Sequence, residues 1–144
     1  MGNRIRIGSL ESFYAITIVG ISSSETDYRL SWILNQTFDL EIKHLRDICF
    51  PTKDNLITKK FSIFSSDPKK NTQYLLISNK SESGNLYSRY KNLDFYYIIC
   101  EKETKSFNNF LLQDFKKIRS IQATFIIELD KYLKNIITEI IFSE

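Results

Sequence analysis

Two strand-length runs constrain this chain more than anything else in it: Phe13 to Ile21, FYAITIVGI, and Leu93 to Cys100, LDFYYIIC. Each is apolar on both alternating faces. In the first, Tyr14, Ile16 and Ile18 point one way and Phe13, Ala15, Val19 and Ile21 the other. A strand with one wet face alternates apolar and polar residues, so a run apolar on both belongs inside a sheet that is covered, at least in part, on both sides. These two runs are therefore the expected central strands.

The rest of the chain reads as elements around them. After the first run, Ser22 with Glu25 three residues on has the form of a capping box, in which each side chain satisfies the other's orphan backbone N–H. A first helix is expected from about Ser23 to Thr37, ended by Asn35, Asp39 or the turn between them. From Leu40 to Ser78 come strand-like pieces separated by the turn stretches Pro51–Asn55 and Asp67–Asn71, which predicts an antiparallel meander. Ser81 to Asn85 reads as a Gly/Ser loop. Ser106 can cap a second helix with a buried stripe of Phe107, Phe110, Leu111, Phe115, Ile118 and Ile121, and Lys116, Lys117 and Arg119 suit its negative C-terminal end. Ala123 to Leu129 is the last expected strand. Leu129, Tyr132, Leu133, Ile136, Ile137 and Ile140 then recur at helical spacing, an amphipathic third helix whose stripe must be covered within the same fold or by a second copy.

The order β-α-β-β-β-β-α-β-α contains β-α-β-β-α-β once two middle strands are set aside. The expected fold is α+β: a mainly antiparallel sheet with helices on one face, a ferredoxin-like βαββαβ core with an extra β-hairpin and a C-terminal helix. At 144 residues the chain is the size of one domain, 1–144, and can bury roughly two-thirds of its unfolded surface.

Organised chemistry is harder to find. The single histidine, His44, has no ligand partners at metal spacing and reads as a solvated or edge residue. No serine stands in a G-x-S-x-G elbow, and the four glycines, Gly2, Gly8, Gly20 and Gly84, are too scattered for a phosphate loop. No catalytic, metal or cofactor-binding residue is assigned and no cofactor is expected. The two cysteines, Cys49 and Cys100, match neither a metal knuckle nor a redox pair, and Cys100 reads as a buried thiol. Asp94, at the mouth of a very apolar strand with Glu101 and Glu103 beyond its far end, could be a desolvated acid; the alternative is a loop residue accepting backbone hydrogen bonds.

A net charge of +3 invites a nucleic-acid reading, with Lys59, Lys60, Lys69, Lys70, Arg89 and Lys91 as the candidate contacts. Yet Lys, Asn, Ile, Phe and Tyr are abundant and alanine occurs only at 15 and 123, the usage of an AT-rich genome, which supplies lysines without a functional cause. The K/R-G-F/Y-G/A-F signature of RNA-recognition domains is absent. The basic start, Met1 to Arg6, is broken by Glu11 and Ser12 before any long apolar stretch, and the apolar runs are far short of the roughly 20 residues that cross a bilayer. A cytoplasmic protein with no membrane partner is expected.

The stretch Ile18-Val19-Gly20-Ile21-Ser22-Ser23, followed by Asp27-Tyr28-Arg29-Leu30-Ser31-Trp32 and Asn35, resembles the opening of the IPExxxVDY family, small Bacteroidetes proteins with no established activity. The order of strand-like blocks, loop, strand, helix and final strand is similar over nearly the whole chain. The family's naming motif falls on Tyr87 to Phe95, where only Asp94 is identical and the glutamate position holds Arg89. The resemblance therefore implies a turn feeding a buried strand there, rather than an acid pair.

One helical pattern bears on partners. Leu30, Ile33, Leu34 and Thr37 form a stripe, while Tyr28 and Trp32 fall roughly 150° away, four residues apart on one ridge. Either a second element covers them within the fold, or they are a candidate interface, since Tyr and Trp dominate interface energetics. The function expected is a non-catalytic protein-interaction or scaffold module, binding a protein partner or itself. The alternatives are an RNA-associated accessory protein and a small enzyme built around Asp94.

Overall fold

A computed structural model describes residues 3–7, 12–51, 58–82, 84–102 and 111–142. Its elements are β1 (Asn3–Ile7), β2 (Ser12–Ser23), α1 (Asp27–Phe38), β3 (Lys43–Pro51), β4 (Thr58–Ser65), β5 (Thr72–Ser78), β6 (Lys80–Ser81), β7 (Gly84–Asn85), β8 (Phe95–Glu101), α2 (Leu111–Phe115), β9 (Ile121–Ile127) and α3 (Lys131–Phe142), with a 3-10 turn at Ser88–Tyr90. The fold is α+β, an antiparallel sheet with helices packed against it.

The two doubly apolar runs are β2 and β8, and they pair with each other at the centre of a seven-stranded sheet. From β8 the sheet continues through β5 and β4 to β3, the antiparallel meander expected from the short connections. On the other side of β2 two strands share one edge: β1 pairs with its first half, Ser12 to Ile16, and β9 with its second half, Ile18 to Ser23.

Alternation along β2 explains the layers. Ile16 and Ile18 belong to an apolar cluster with Leu75, Ile77, Tyr96 and Ile98 that α3 covers through Leu133, Ile136, Ile137 and Ile140. Val19 and Ile21 belong to a second cluster, with Phe64, Leu76 and Tyr97, covered by Leu30 and Leu34 of α1 and by Phe115 and Ile118. Helices thus cover both faces, not one as expected, because α3 turns back under the sheet after β9. Its isoleucine stripe finds cover within the same chain. Cys100 is buried in the first cluster, as its position after an apolar run suggested.

Several expected details are displaced. The α1 cap is Thr26, whose hydroxyl accepts from the Arg29 N–H at 3.2 Å. Ser22 and Ser23 stay in β2, because pairing with β9, and the Asp94 carboxylate that accepts the Ser23 N–H, satisfy the backbone that a cap would otherwise have to serve. At the far end Asp39 takes a left-handed conformation, φ 54°, and the Asn35 amide holds Ile42 by donating to its carbonyl at 3.0 Å and accepting from its N–H at 2.9 Å. Thr37, placed on the buried stripe, is exposed, and Ile33 is only half-buried. The described part of α2 is short, and Ile121 begins β9 instead of closing the α2 stripe. Ser106, Phe107 and Phe110, like Glu103 and the turn residues Thr52–Asn55, lie outside the described residues. The Gly/Ser loop contains the small hairpin β6–β7, where Gly84 has φ 134°. Gly20 is needed for space: a Cβ there would lie 2.5 Å from Leu93 Cδ1 and 3.1 Å from Ile127 Cδ1.

Candidate functional site

The segment between β5 and β8 folds around one buried side chain. Asn79 donates from Nδ2 to the carbonyls of Tyr90 and Leu93, both at 2.8 Å, and accepts the Tyr87 N–H on Oδ1 at 3.1 Å. Its own N–H donates to the Asp94 carbonyl at 2.8 Å and its carbonyl accepts from Leu86 at 2.7 Å. Every polar atom of Asn79 is used, which is what permits an amide to be fully buried. The segment so held carries three of the candidates, Arg89, Lys91 and Asp94.

Asp94 is a clamp. Its Oδ2 accepts the Ser23 N–H at 2.8 Å and its Oδ1 pairs with Lys80 Nζ at 2.9 Å, so both oxygens serve the joint between the end of β2, the start of β8 and β6. The nearby cleft, about 400 Å³, is lined by Glu25, Asp27 and Lys80 among others, and is open to solvent. Ser23, which ends the stretch that carries the resemblance described above, thus meets Asp94, the one identical residue of the naming motif, through its N–H and the aspartate's carboxylate.

A cluster of phenols lies beside this joint. Tyr87 and Tyr132 rings stand 4.3 Å apart, and Tyr90 makes edge contacts with Tyr87 at 5.4 Å and Tyr96 at 6.5 Å. Tyr87 donates its hydroxyl to Asp130 and Tyr132 donates to the Leu86 carbonyl. The hydrogen bond to the Asp130 carboxylate holds the Tyr87 phenol above its ordinary range, and burial does the same to Tyr132 and, more strongly, to Tyr96.

The cationic candidates do not form one surface. Lys59 and Lys60 stand at the start of β4, and Lys69 and Lys70 in the turn after its end, roughly 20 Å along the strand. Lys70 shares its cleft with Asp39, Glu41 and Asp67. Arg89 pairs with Asp130 at 3.6 Å and lies 5.7 Å from the Tyr90 ring, and it shares with Lys91 a groove other than that of Lys70. His44 is an exposed residue of the edge strand β3, 3.1 Å from Asp47. Among the described residues no group of three His, Cys, Asp or Glu side chains could hold a metal ion.

Tyr28 and Trp32 are the exposed pair: 63% and 52% of their surfaces face solvent. No second element covers them among the described residues, so the expectation of cover within the fold fails. Helix α1 lies with Leu30 and Leu34 on one face of the sheet, and α3 covers the opposite face. Tyr28 leans its ring edge on Phe64 at 5.1 Å and reaches His44 at 5.8 Å, while the Arg29 guanidinium stacks 4.8 Å over Trp32. Beside His44, Leu45 is the extra residue of a bulge in β3 and is exposed as well.

A second apolar surface was not singled out from the sequence. At the β9 edge Phe125 is 52% and Ile126 44% exposed, bordering a groove of about 510 Å³ whose other wall is Arg89 to Leu93. The available signal was the uncharged run Ile121–Ile127 in the last strand of a β-α-β order, where that strand falls at an edge. Comparison with protein-family models finds no match, and comparison with curated proteins finds none either. No helix among the described residues is long and apolar enough to cross a membrane.

Proposed function

We propose that this chain is a cytoplasmic, non-catalytic protein-interaction module that binds a protein partner or itself, and that the ridge of Tyr28 and Trp32 on α1 is its docking surface. The observation that carries this reading is the exposure of these two rings on a helix whose other face is already buried. Two large amphipathic rings presented at low entropic cost, with Arg29 beside them, are the residue types that anchor interfaces. The exposed thiol of Cys49 suits a reducing compartment.

An enzyme built around Asp94 is disfavoured because both carboxylate oxygens are already engaged. An RNA-associated role is disfavoured by the dispersal of Lys59, Lys60, Lys69, Lys70, Arg89 and Lys91, since a phosphate track needs its cations in line.

We further read the strand order β9-β2-β8-β5, with α1 and α2 on one face, as a ferredoxin-like βαββαβ core extended by β3 and β4 and by α3. Membership of the IPExxxVDY family is proposed on the stretches Ile18–Ser23 and Asp27–Trp32, and the contact between Ser23 and Asp94 supports a structural role for the motif aspartate.

The test is a photo-crosslinking amino acid placed at position 32 in the native cell, with a matched probe at exposed Lys134 as control. A discrete protein adduct at 32, absent at 134 and resistant to nuclease, is the expected result. Adducts that vanish with nuclease, or none at 32, refute the reading.

A further inference from the structure

The two edges of the sheet are built differently. β3 carries Lys43, His44, Arg46 and Asp47 and a bulge between His44 and Arg46, the devices that keep an edge from recruiting another strand. β9, Ile-Gln-Ala-Thr-Phe-Ile-Ile, has no charge and no proline. Its pairing irregularity is confined to its first residues, opposite Ser22 and Ser23, and among the described residues its outer edge pairs with no strand. Both apolar layers run out to this edge. Phe125 lies opposite Gly20 on the α3 side, and Ile126 opposite Val19 on the α1 side, each about half exposed.

We propose that β9 pairs antiparallel with β9 of a second copy, joining two sheets into one across a two-fold axis. The inference rests on the reading of the chain as an interaction module but not on Tyr28 or Trp32, which lie elsewhere. The occupant follows from self-complementarity. A basic residue, Arg119, precedes the strand and an acidic one, Glu128, follows it, and both are exposed. Antiparallel pairing sets each Arg119 beside the partner's Glu128 twice over, whereas parallel pairing would set like charges together.

The register follows as well. A two-fold axis perpendicular to the sheet keeps side chains on their own faces, so it must fall at a residue; within the regular stretch Ala123–Ile127, beyond the irregularity at Gln122, an axis at Thr124 avoids setting the Phe125 ring against its own copy. Thr124 then faces the partner's Thr124, and Phe125 faces the partner's Ala123, a large ring against a small side chain. The groove wall at Arg89–Leu93 flanks this seam on each copy.

The experiment is a sedimentation series on the full chain with three sets of substitutions. The wild type should pass from the 17.0 kDa monomer to a dimer as concentration rises. F125K/I126K, at sites already half exposed, should raise the dissociation constant about tenfold or more with the circular dichroism unchanged. Glu128→Arg and Arg119→Glu should each weaken the dimer about fivefold, and their combination should restore it. Should F125K/I126K unfold, Thr124→Cys in a Cys49→Ser background decides the matter: directly opposed strand residues are close enough for a disulfide, so oxidation should give a covalent dimer. A wild type that stays monomeric to about 1 mM overturns the proposal. So does a dimer abolished by Trp32→Ala but untouched at β9, a charge swap that fails to restore, or a Thr124→Cys protein that does not crosslink.

Discussion

Replacing Asn79 by alanine leaves the two backbone hydrogen bonds of residue 79 in place and removes the three made by its side chain. The Leu93 carbonyl is then buried without its partner, at a cost of about 1–3 kcal/mol, while the Tyr90 carbonyl and Tyr87 N–H, only partly buried, can recover some hydration and cost about 1 kcal/mol each. The sum, about 3–5 kcal/mol, is a large share of the 5–15 kcal/mol typical of a domain this size. Urea unfolding followed by circular dichroism should show a lower midpoint with an unchanged slope, since the surface exposed on unfolding is the same. Hydrogen exchange should accelerate at residues 86–93, which Asn79 holds, before it does in β2 and β8. Asn79→Asp should be no better than alanine, because a carboxylate cannot donate to either carbonyl. A loss below about 1 kcal/mol for Asn79→Ala would mean that the segment is held by the packing of Leu86 and Leu93 and not by the amide.

Gly20→Ala should destabilise by about 1–3 kcal/mol in urea unfolding: the clash with Leu93 and Ile127 outweighs the 0.5–1 kcal/mol that alanine normally gains over glycine in a strand. Asp94→Ala should cost about 2 kcal/mol, mostly from the unpaired Ser23 N–H, and Lys80→Ala less than about 1 kcal/mol because that ion pair is half in solvent; equal losses would refute the clamp. Burial raises the phenols of Tyr96 and Tyr97, so the folded state holds protons that the unfolded chain releases above its ordinary tyrosine range near 10. Their contribution is therefore complete below about pH 10 and is lost as pH rises above it. Absorbance at alkaline pH should show late-ionising tyrosines whose titration coincides with loss of circular dichroism.

Side-chain periodicity accounts for the central elements of the fold. The doubly apolar runs became the paired central strands, the short turns became a meander, and the isoleucines of α3 became a buried stripe, because side-chain periodicity records which faces a segment must hide. The errors fall where a distant partner decides. Ser22 looked like a helix cap until β9 claimed its backbone for the sheet, leaving the cap to Thr26. The lysine pairs, candidate nucleic-acid contacts in sequence, are set at opposite ends by β4, and Asp94 acquired a role only when Ser23 came beside it across 71 positions of sequence.

The composition and pattern of the chain alone determined that a sheet with buried central strands would form and that α3 must pack. Only the tertiary structure decided that α3 covers the face away from α1, leaving Tyr28 and Trp32 in solvent, and that, among the described residues, β9 ends the sheet with an exposed apolar edge. The reason is physical: hydrophobic periodicity states how much of a segment must leave water, but which neighbour removes it is settled by contacts between residues far apart in the chain.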